Sequence, residues 1–300
     1  MKKGHIFIQC ASYRDPELKN TIKSALNKAQ KPNRVSFGIC LQGELDEMDR
    51  DLYKNGLTQC RTVFIHKDAS HGIGYARQKA QMMYEGEEFV LQIDSHMRFA
   101  AGWDRTCINQ LEKCPSRKPV LTAYLSDYHT REDLGAWRLG ADGFDEHGQP
   151  VVTGMSLVKA NKPQLAILGS GHFVFSPASF FEEVPVDPEM QFLFEETLLA
   201  PRGYTNGWDL YHPNKAALWH KWDRSGRILN WDDKDVSPNE LRCATLFKQL
   251  MGIEPGYFNF GKYGMGTVRT LAQYEQFSGI DFKNQILSKR ARKGLPALGE

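Results

Sequence analysis

The sequence predicts an α/β fold, a central and mostly parallel sheet with helices on both faces. Three observations point there. Apolar runs of strand length recur at residues 5–10, 35–41, 62–65 and 89–93. Segments of helical period fall between them, so the order reads strand, helix, strand, strand, helix, strand. The last of these runs stops abruptly at Asp94-Ser95-His96, as a buried strand does where it reaches the ligand-binding edge of such a sheet.

The elements follow in order. Residues 5–10 form the first strand and residues 11–15 a loop. Leu18, Ile22, Ala25, Leu26 and Ala29 then recur at helical spacing. Lys31, the residue before a proline, closes that helix. Residues 35–41 are the second strand, followed by a polar stretch over 42–51, and residues 62–65 are the third. His71-Gly72-Ile73-Gly74 lacks the third glycine of a dinucleotide fingerprint and reads as the turn that starts a helix over 75–84.

Beyond the fourth strand, a helix starting near Gly102 carries Trp103, Cys107 and Leu111 on one face. Residues 119–125 read as one strand and 126–150 as a polar, glycine-containing excursion. In Gly169-Ser170-Gly171-His172 the glycines either let the backbone approach a ligand closely or make a plain bulge. Glu195 and Glu196 follow an aromatic run at a helix start, where the helix dipole alone favours acids. Residues 209–212 are strand-like and 240–251 helical. The tail residues Lys289, Arg290, Arg292 and Lys293 read as a solvated basic cluster.

Composition narrows the function classes. A 41% hydrophobic and 25% charged chain of 300 residues is an ordinary globular protein with room for a sizeable core. A net charge of +2 argues against nucleic acid or an acidic membrane as the main partner. No run is long and apolar enough for a membrane span, and none has the make-up of a signal peptide. The six cysteines lack zinc-site spacing and read as reduced thiols, so the expected location is the cytoplasm.

Asp94 and His96 are two apart on an extended chain and face the same side, with Ser95 opposite. A carboxylate and an imidazole converging at a strand end either hold a divalent ion or belong to a polar turn. His220, set between Trp219 and Trp222, is a third ligand candidate or a packed histidine. Two histidines and an aspartate also suit a zinc hydrolase with an open water position. Exposed aromatic side chains would suit a non-catalytic carbohydrate- or protein-binding module.

The order of these features resembles the GT-A-fold glycosyltransferases, in which an apolar strand ends in Asp-X-Asp or Asp-X-His and holds manganese on a nucleotide-sugar's pyrophosphate. Asp94-Ser95-His96 has the Asp-X-His form of the polypeptide N-acetylgalactosaminyltransferases. The chain is more similar to the cytosolic hydroxyproline α-N-acetylglucosaminyltransferase family and its bacterial relatives. The matching stretches are 8–15, His71-Gly72-Ile73-Gly74-Tyr75-Ala76-Arg77, Gln92-Ile93-Asp94-Ser95-His96-Met97-Arg98-Phe99, Phe194-Glu195-Glu196, Gly207-Trp208-Asp209, Leu218-Trp219-His220 and 263–270.

That resemblance implies one GT-A-like domain over 1–300, with a nucleotide-binding half (1–100) and an acceptor-side half with a C-terminal extension (101–300). It implies a metal site of Asp94, His96 and His220, filled by Mn2+ or else Mg2+. The donor, a UDP-sugar with N-acetylglucosamine as best guess, is expected against Ala11, Ser12, Tyr13, Arg14, His71, Gly72, Arg77, Asp94, Ser95, Gly169, Ser170 and Gly171. Glu195, Glu196 and Asp209 are the expected catalytic residues, with Trp208 shaping the acceptor side. The implied reaction is retaining transfer to a hydroxyl on a protein or glycan acceptor.

Overall fold

The computed structural model describes residues 1–45, 59–129 and 135–297. The polar stretch expected over 42–51 therefore lies outside the described residues from position 46 onward. The first apolar runs all become strands: β1 (Lys2–Tyr13), β2 (Val35–Gly43), β3 (Cys60–His66) and β4 (Glu87–Asp94). Adjacent members pair in parallel, in the order β4-β1-β2-β3. Each strand runs further than its apolar stretch. Ala11, Ser12 and Tyr13, expected in a loop, are the last residues of β1 and pair with β2. The side chains alternate between two cores: Phe7 and Val90 join one cluster, while Ile6, Ile8, Leu91 and Ile93 join the other. A sheet buried on both faces is what near-continuous apolar strands require. Helices α1 (Leu18–Lys28) and α2 (Ile73–Gln81) fall close to the expected places.

The remaining described strands are β5 (Met97–Phe99), β6 (Pro119–Thr122), β7 (Tyr124–Leu125), β8 (Ala136–Phe144), β9 (Pro150–Leu157), β10 (Gln164–Leu165), β11 (Phe173–Pro177), β12 (Asp209–His212), β13 (Leu218–His220), β14 (Ile280–Asp281) and β15 (Ile286–Leu287), the last two pairing with each other. The main sheet reads β10-β12-β6-β11-β4-β1-β2-β3. β11 is antiparallel to both neighbours and β10 is antiparallel to β12; the other six strands run one way. The strand expected over 119–125 is interrupted at Ala123. Its second part, β7, leaves for a three-stranded sheet with β8 and β9. That hairpin occupies much of the expected excursion. Its alternation is masked by glycines, and Gly140 explains one of them. A Cβ there would come within 2.8 Å of the backbone at Arg292 and Gly294. The basic tail is thus packed through its backbone on β8, with Lys289, Arg292 and Lys293 pointing outward.

The helices that follow are α3 (Trp103–Glu112), α4 (Ser179–Glu183), α5 (Phe194–Thr205), α6 (Asn230–Asp233), α7 (Ser237–Leu250) and α8 (Leu271–Ser278). α5, α7 and α8 pack together through Phe194, Phe247 and Tyr274 in the first core. No described helix is long and apolar enough to cross a membrane.

Candidate functional site

The parallel strands deliver their C-terminal ends to one edge. Ala11 of β1 stands in register with Asp94 of β4. β11 runs the other way, so its N-terminal residues, preceded by Gly171 and His172, arrive at the same edge. β13 pairs with β5 so that His220 lies opposite Met97, which sets its imidazole beside that of His96. Asp94, His96 and His220 thereby bring one ligand atom each within 4.8 Å of one another. His96 Nε2 lies 3.1 Å from His220 Nε2, and Asp94 Oδ2 lies 3.3 Å from His220 Nε2 and 3.6 Å from His96 Nε2.

The surroundings orient this trio. His96 Nδ1 donates to Asp15 Oδ2 at 2.7 Å, which leaves Nε2 as the acceptor nitrogen facing the cluster. Ser95 Oγ donates to the same Asp15 oxygen at 2.8 Å. Asp15, the last residue of the matching stretch 8–15, had no role of its own in the sequence reading; its local signal is an acid before a proline at the end of the first strand. Arg77 donates to Asp94 Oδ1 at 2.9 Å and also to Glu195. Burial works against the Asp94 carboxylate, but the His220 hydrogen bond and the Arg77 charge hold its pKa well below the usual range. Burial likewise opposes the Arg77 guanidinium, and the charges of Glu195 and Asp94 keep it protonated. One carboxylate oxygen and two imidazole nitrogens, backed by a second carboxylate, fit a divalent ion of manganese or zinc type.

A third imidazole, His172, lies 4.3 Å from the His220 ring. It is not a ligand. Its Nε2 accepts from Leu125 N–H and its Nδ1 donates to Ser170 Oγ, so both nitrogens are committed. Burial and then the His220 charge push its pKa well below normal.

The trio opens into a cavity of about 710 Å³ lined by Tyr13, Arg77, Gly171, Glu195, Glu196 and Arg227, with Trp222 and Trp231 near its mouth. Glu196 is buried beside Gly171 and Tyr124, and its Oε1 has no hydrogen-bond partner. Burial, then the adjacent Glu195 charge, raise its pKa to about 8. A second cavity of about 360 Å³ adjoins the ends of β1, β2 and β3 and is lined by Ser12, Arg14, Gln42, Phe64 and the shared Asp15.

Most of the expected residues meet here, and some do not. Ala11, Tyr13, Gly72, Arg77, Ser95, Gly171, Glu195 and Glu196 line the larger cavity, while Ser12 and Arg14 line the smaller. Ser12 differs from Tyr13 because successive strand residues face opposite sides. His71 stands outside both, its ring against Tyr75. Gly169 and Ser170 lie behind the wall. A Cβ at Gly169 would meet Leu199 at 2.6 Å, and Ser170 is fully buried on Thr122 and His172. The Gly-Ser-Gly loop therefore serves packing more than ligand approach. Gly171 is the exception in kind: a Cβ there would sit 2.6 Å from Arg77 and 3.0 Å from Glu195, so glycine makes room for that ion pair.

Asp209 is not brought to the cavity. It begins β12, which runs in the same direction as β4, so it lies at the opposite edge of the sheet from Asp94. There it binds Ser116 and Arg269. Trp208 is buried against Phe180 and donates to Glu183, away from the cavity. Tyr124, Trp222 and Arg227 are cavity residues that the sequence reading missed, because each lies in a short or irregular segment without period.

The family described as Glycosyltransferase (GlcNAc) matches residues 5–54 and 50–284. No curated protein matches the chain. Among solved structures it is similar to GalNAc-T7 crystallised with UDP, GalNAc and Mn2+, at 12% identity and a TM-score of 0.61. That likeness covers 90% of this chain and 56% of the other, so the chain spans little more than half that protein's length. It is also similar to S. aureus TarS 1–349 in complex with UDP-GlcNAc, at 14% identity and a TM-score of 0.53, covering 91% of this chain and 70% of that one. These likenesses carry the fold, which is that of the GT-A glycosyltransferases.

Proposed function

The chain belongs to the GlcNAc glycosyltransferase family, and from that premise we propose that it transfers a sugar, N-acetylglucosamine by preference, from a UDP-sugar to an acceptor hydroxyl with retention of configuration. Family membership sets aside the hydrolase and binding-module alternatives. The observation that carries the donor reading is the convergence of Asp94, His96 and His220 in the larger cavity, whose wall shares Asp15 and Gln42 with the smaller one, outside the C-terminal strand ends of an α/β sheet. GalNAc-T7 and TarS, which share the fold, were crystallised with UDP and UDP-GlcNAc respectively. The likeness to hydroxyproline α-N-acetylglucosaminyltransferases supports the choice of sugar.

In this reading residues 1–100 form the nucleotide half of a single domain. The smaller cavity takes the nucleoside between Ser12, Arg14 and Gln42. The diphosphate lies at the trio. Asp94, His96 and His220 would hold Mn2+ or Mg2+, which neutralises the departing diphosphate when bound. The sugar enters the larger cavity toward Glu195 and Glu196. The bond from the anomeric carbon to the phosphate oxygen breaks, a bond to the acceptor oxygen forms on the same face, and the acceptor's proton passes to the leaving phosphate. The two glutamates suit binding more than proton abstraction. Glu195 is held by Arg77, and Glu196 carries its proton at neutral pH and donates a hydrogen bond to the sugar. Free thiols at all six cysteines support a reducing, cytoplasmic setting.

The test is release of UDP from a panel of nucleotide-sugars with Mn2+. One donor should be cleaved, and Asp94→Ala and His220→Ala proteins that remain folded should lose the activity. Full activity in the presence of a chelator would remove the metal from the scheme.

A further inference from the structure

Two glutamines interrupt the apolar strands next to the site. Gln9 of β1 and Gln92 of β4 stand opposite each other in register, at 0% and 2% exposure. By strand alternation they share a face with Phe7 and Val90 of the first core, and with Ala11 and Asp94 two residues further on. Long amides suit such a place poorly, because each polar atom buried there needs a partner. Gln92 Nε2 donates to the Gly171 carbonyl at 2.8 Å, and Gln92 Oε1 accepts from Gln9 Nε2 at 2.7 Å. The far end fixes the polarity of this chain. A carbonyl can only accept, so Gln92 must present its nitrogen to Gly171 and its oxygen to Gln9. Gln9 Oε1 is then turned away, buried and without a hydrogen-bond partner among the described residues. A core selected for stability alone would not keep that oxygen. What it secures is a single orientation of the Gln92 amide.

The corner that Gln92 holds is the one where glycine is required. A Cβ on Gly171 would sit 2.6 Å from Arg77 and 3.0 Å from Glu195. The same corner is tied elsewhere by Ser170 N–H on Thr122 Oγ1 at 2.8 Å and by His172 Nδ1 on Ser170 Oγ at 2.9 Å. Anchored at both places, it has little slack toward the ion pair. Arg77 in turn donates to Asp94 and to Glu195. We propose that Gln92, locked by Gln9, is a positioning residue that fixes the Gly171 carbonyl and, through that corner, the Arg77 guanidinium between Asp94 and Glu195. Neither glutamine lines either cavity, so both act through the groups they hold. The consequence for rate rests on the donor reading given above; the placement of Arg77 does not.

Hydrogen exchange of the Arg77 Nε–H proton, followed by NMR with Arg77→Lys identifying the resonance, reads the positioning without any substrate. Gln92→Leu should speed that exchange about tenfold, and Gln9→Met, which keeps Gln92 but removes its lock, about threefold. With the donor that the parent cleaves, kcat should fall about tenfold in Gln92→Leu while the KM for donor stays within about twofold. Gln9→Met replaces one orphaned oxygen, its own, by another, that of Gln92. It should therefore unfold at the parent's urea concentration and still lose about threefold in kcat, whereas a merely structural role would move the two together. Gln92→Leu added to Gly171→Ala should lower kcat by less than about twofold further, since the corner is already displaced. Unchanged Arg77 exchange in both single variants overturns the proposal, as does a further loss of about tenfold in the double variant. Gln9→Met keeps the test decisive if Gln92→Leu does not fold. A parent that releases UDP from no nucleotide-sugar overturns the donor reading instead, and the exchange measurement then decides the positioning by itself.

Discussion

Two aspartate–arginine pairs mark opposite edges of the same sheet. Asp94 and Arg77 are 2.9 Å apart, and Asp209 and Arg269 are 2.7 Å apart. In the first pair the arginine is 4% exposed, two imidazoles flank the carboxylate, and a cavity opens beside it. In the second both partners are about a quarter exposed, and the aspartate is shared with Ser116. The residue types are alike; their positions along the strands are not. Asp94 ends its strand and Asp209 begins one that runs the same way. Position along the strand, more than residue type, decides which acid meets the ligand edge.

The largest expected effect breaks the two edges apart directly. Asp94→Ala should lower transfer by at least about 10³-fold, since it removes both a proposed metal ligand and the partner of a buried arginine. Asp209→Ala should stay within about twofold in rate and lose about 1 kcal/mol or less of stability, as for other partly exposed pairs. Steady-state rates and urea unfolding of both proteins check this. A large rate loss in Asp209→Ala would return that residue to the site.

Glycines give the next contrast. In Gly171→Ala the new methyl strikes Arg77 and Glu195, so transfer should fall about 10²-fold as the cavity wall shifts. In Gly266→Ala, beside the far edge, it strikes backbone atoms of Thr205 and Asn206 at 2.5 Å. That protein should lose about 1–3 kcal/mol of stability and keep the rate of its folded fraction.

The smallest effect sharpens the comparison, because the far pair has no neighbour like Glu196. That carboxyl keeps its proton to about pH 8 in the fold, against an ordinary value of 4.5. Between those values the unfolded chain has released a proton that the folded chain retains, so stability falls as pH rises through the window. Glu196→Gln removes this dependence. Measured with a chelator present, it should unfold at higher urea than the parent at pH 8 and at the same urea at pH 4. Equal unfolding midpoints at both pH values would place Glu196 in the ordinary range.

How much of this was legible in the sequence follows from the same geometry. β1, β2, β4 and α1 could be read because burial writes apolar runs and helical periods into the chain. The direction of β11 could not, since an apolar run carries no sign. The β8–β9 hairpin was hidden because glycines, one of them required for close packing, break its alternation. Asp94 and His96 were legible as a pair from their spacing. His220 stood open between ligand and packed histidine until the resemblance put it in the metal set, because nothing local distinguishes the two. Asp15 acts through a partner 81 residues away in sequence, a relation that no local pattern expresses.

The separation between the trio's members has a consequence during biosynthesis. Asp94 and His220 are 126 positions apart, and β13 must pair with β5 before their side chains converge. The parallel core of β1 to β4 is complete in sequence well before that. A growing chain can therefore assemble its first sheet while it still lacks any place for a metal ion. If the trio holds an ion as proposed, its capture is a late checkpoint, passed only by molecules in which β13 has paired with β5, and contacts of such long range are the slow ones to form.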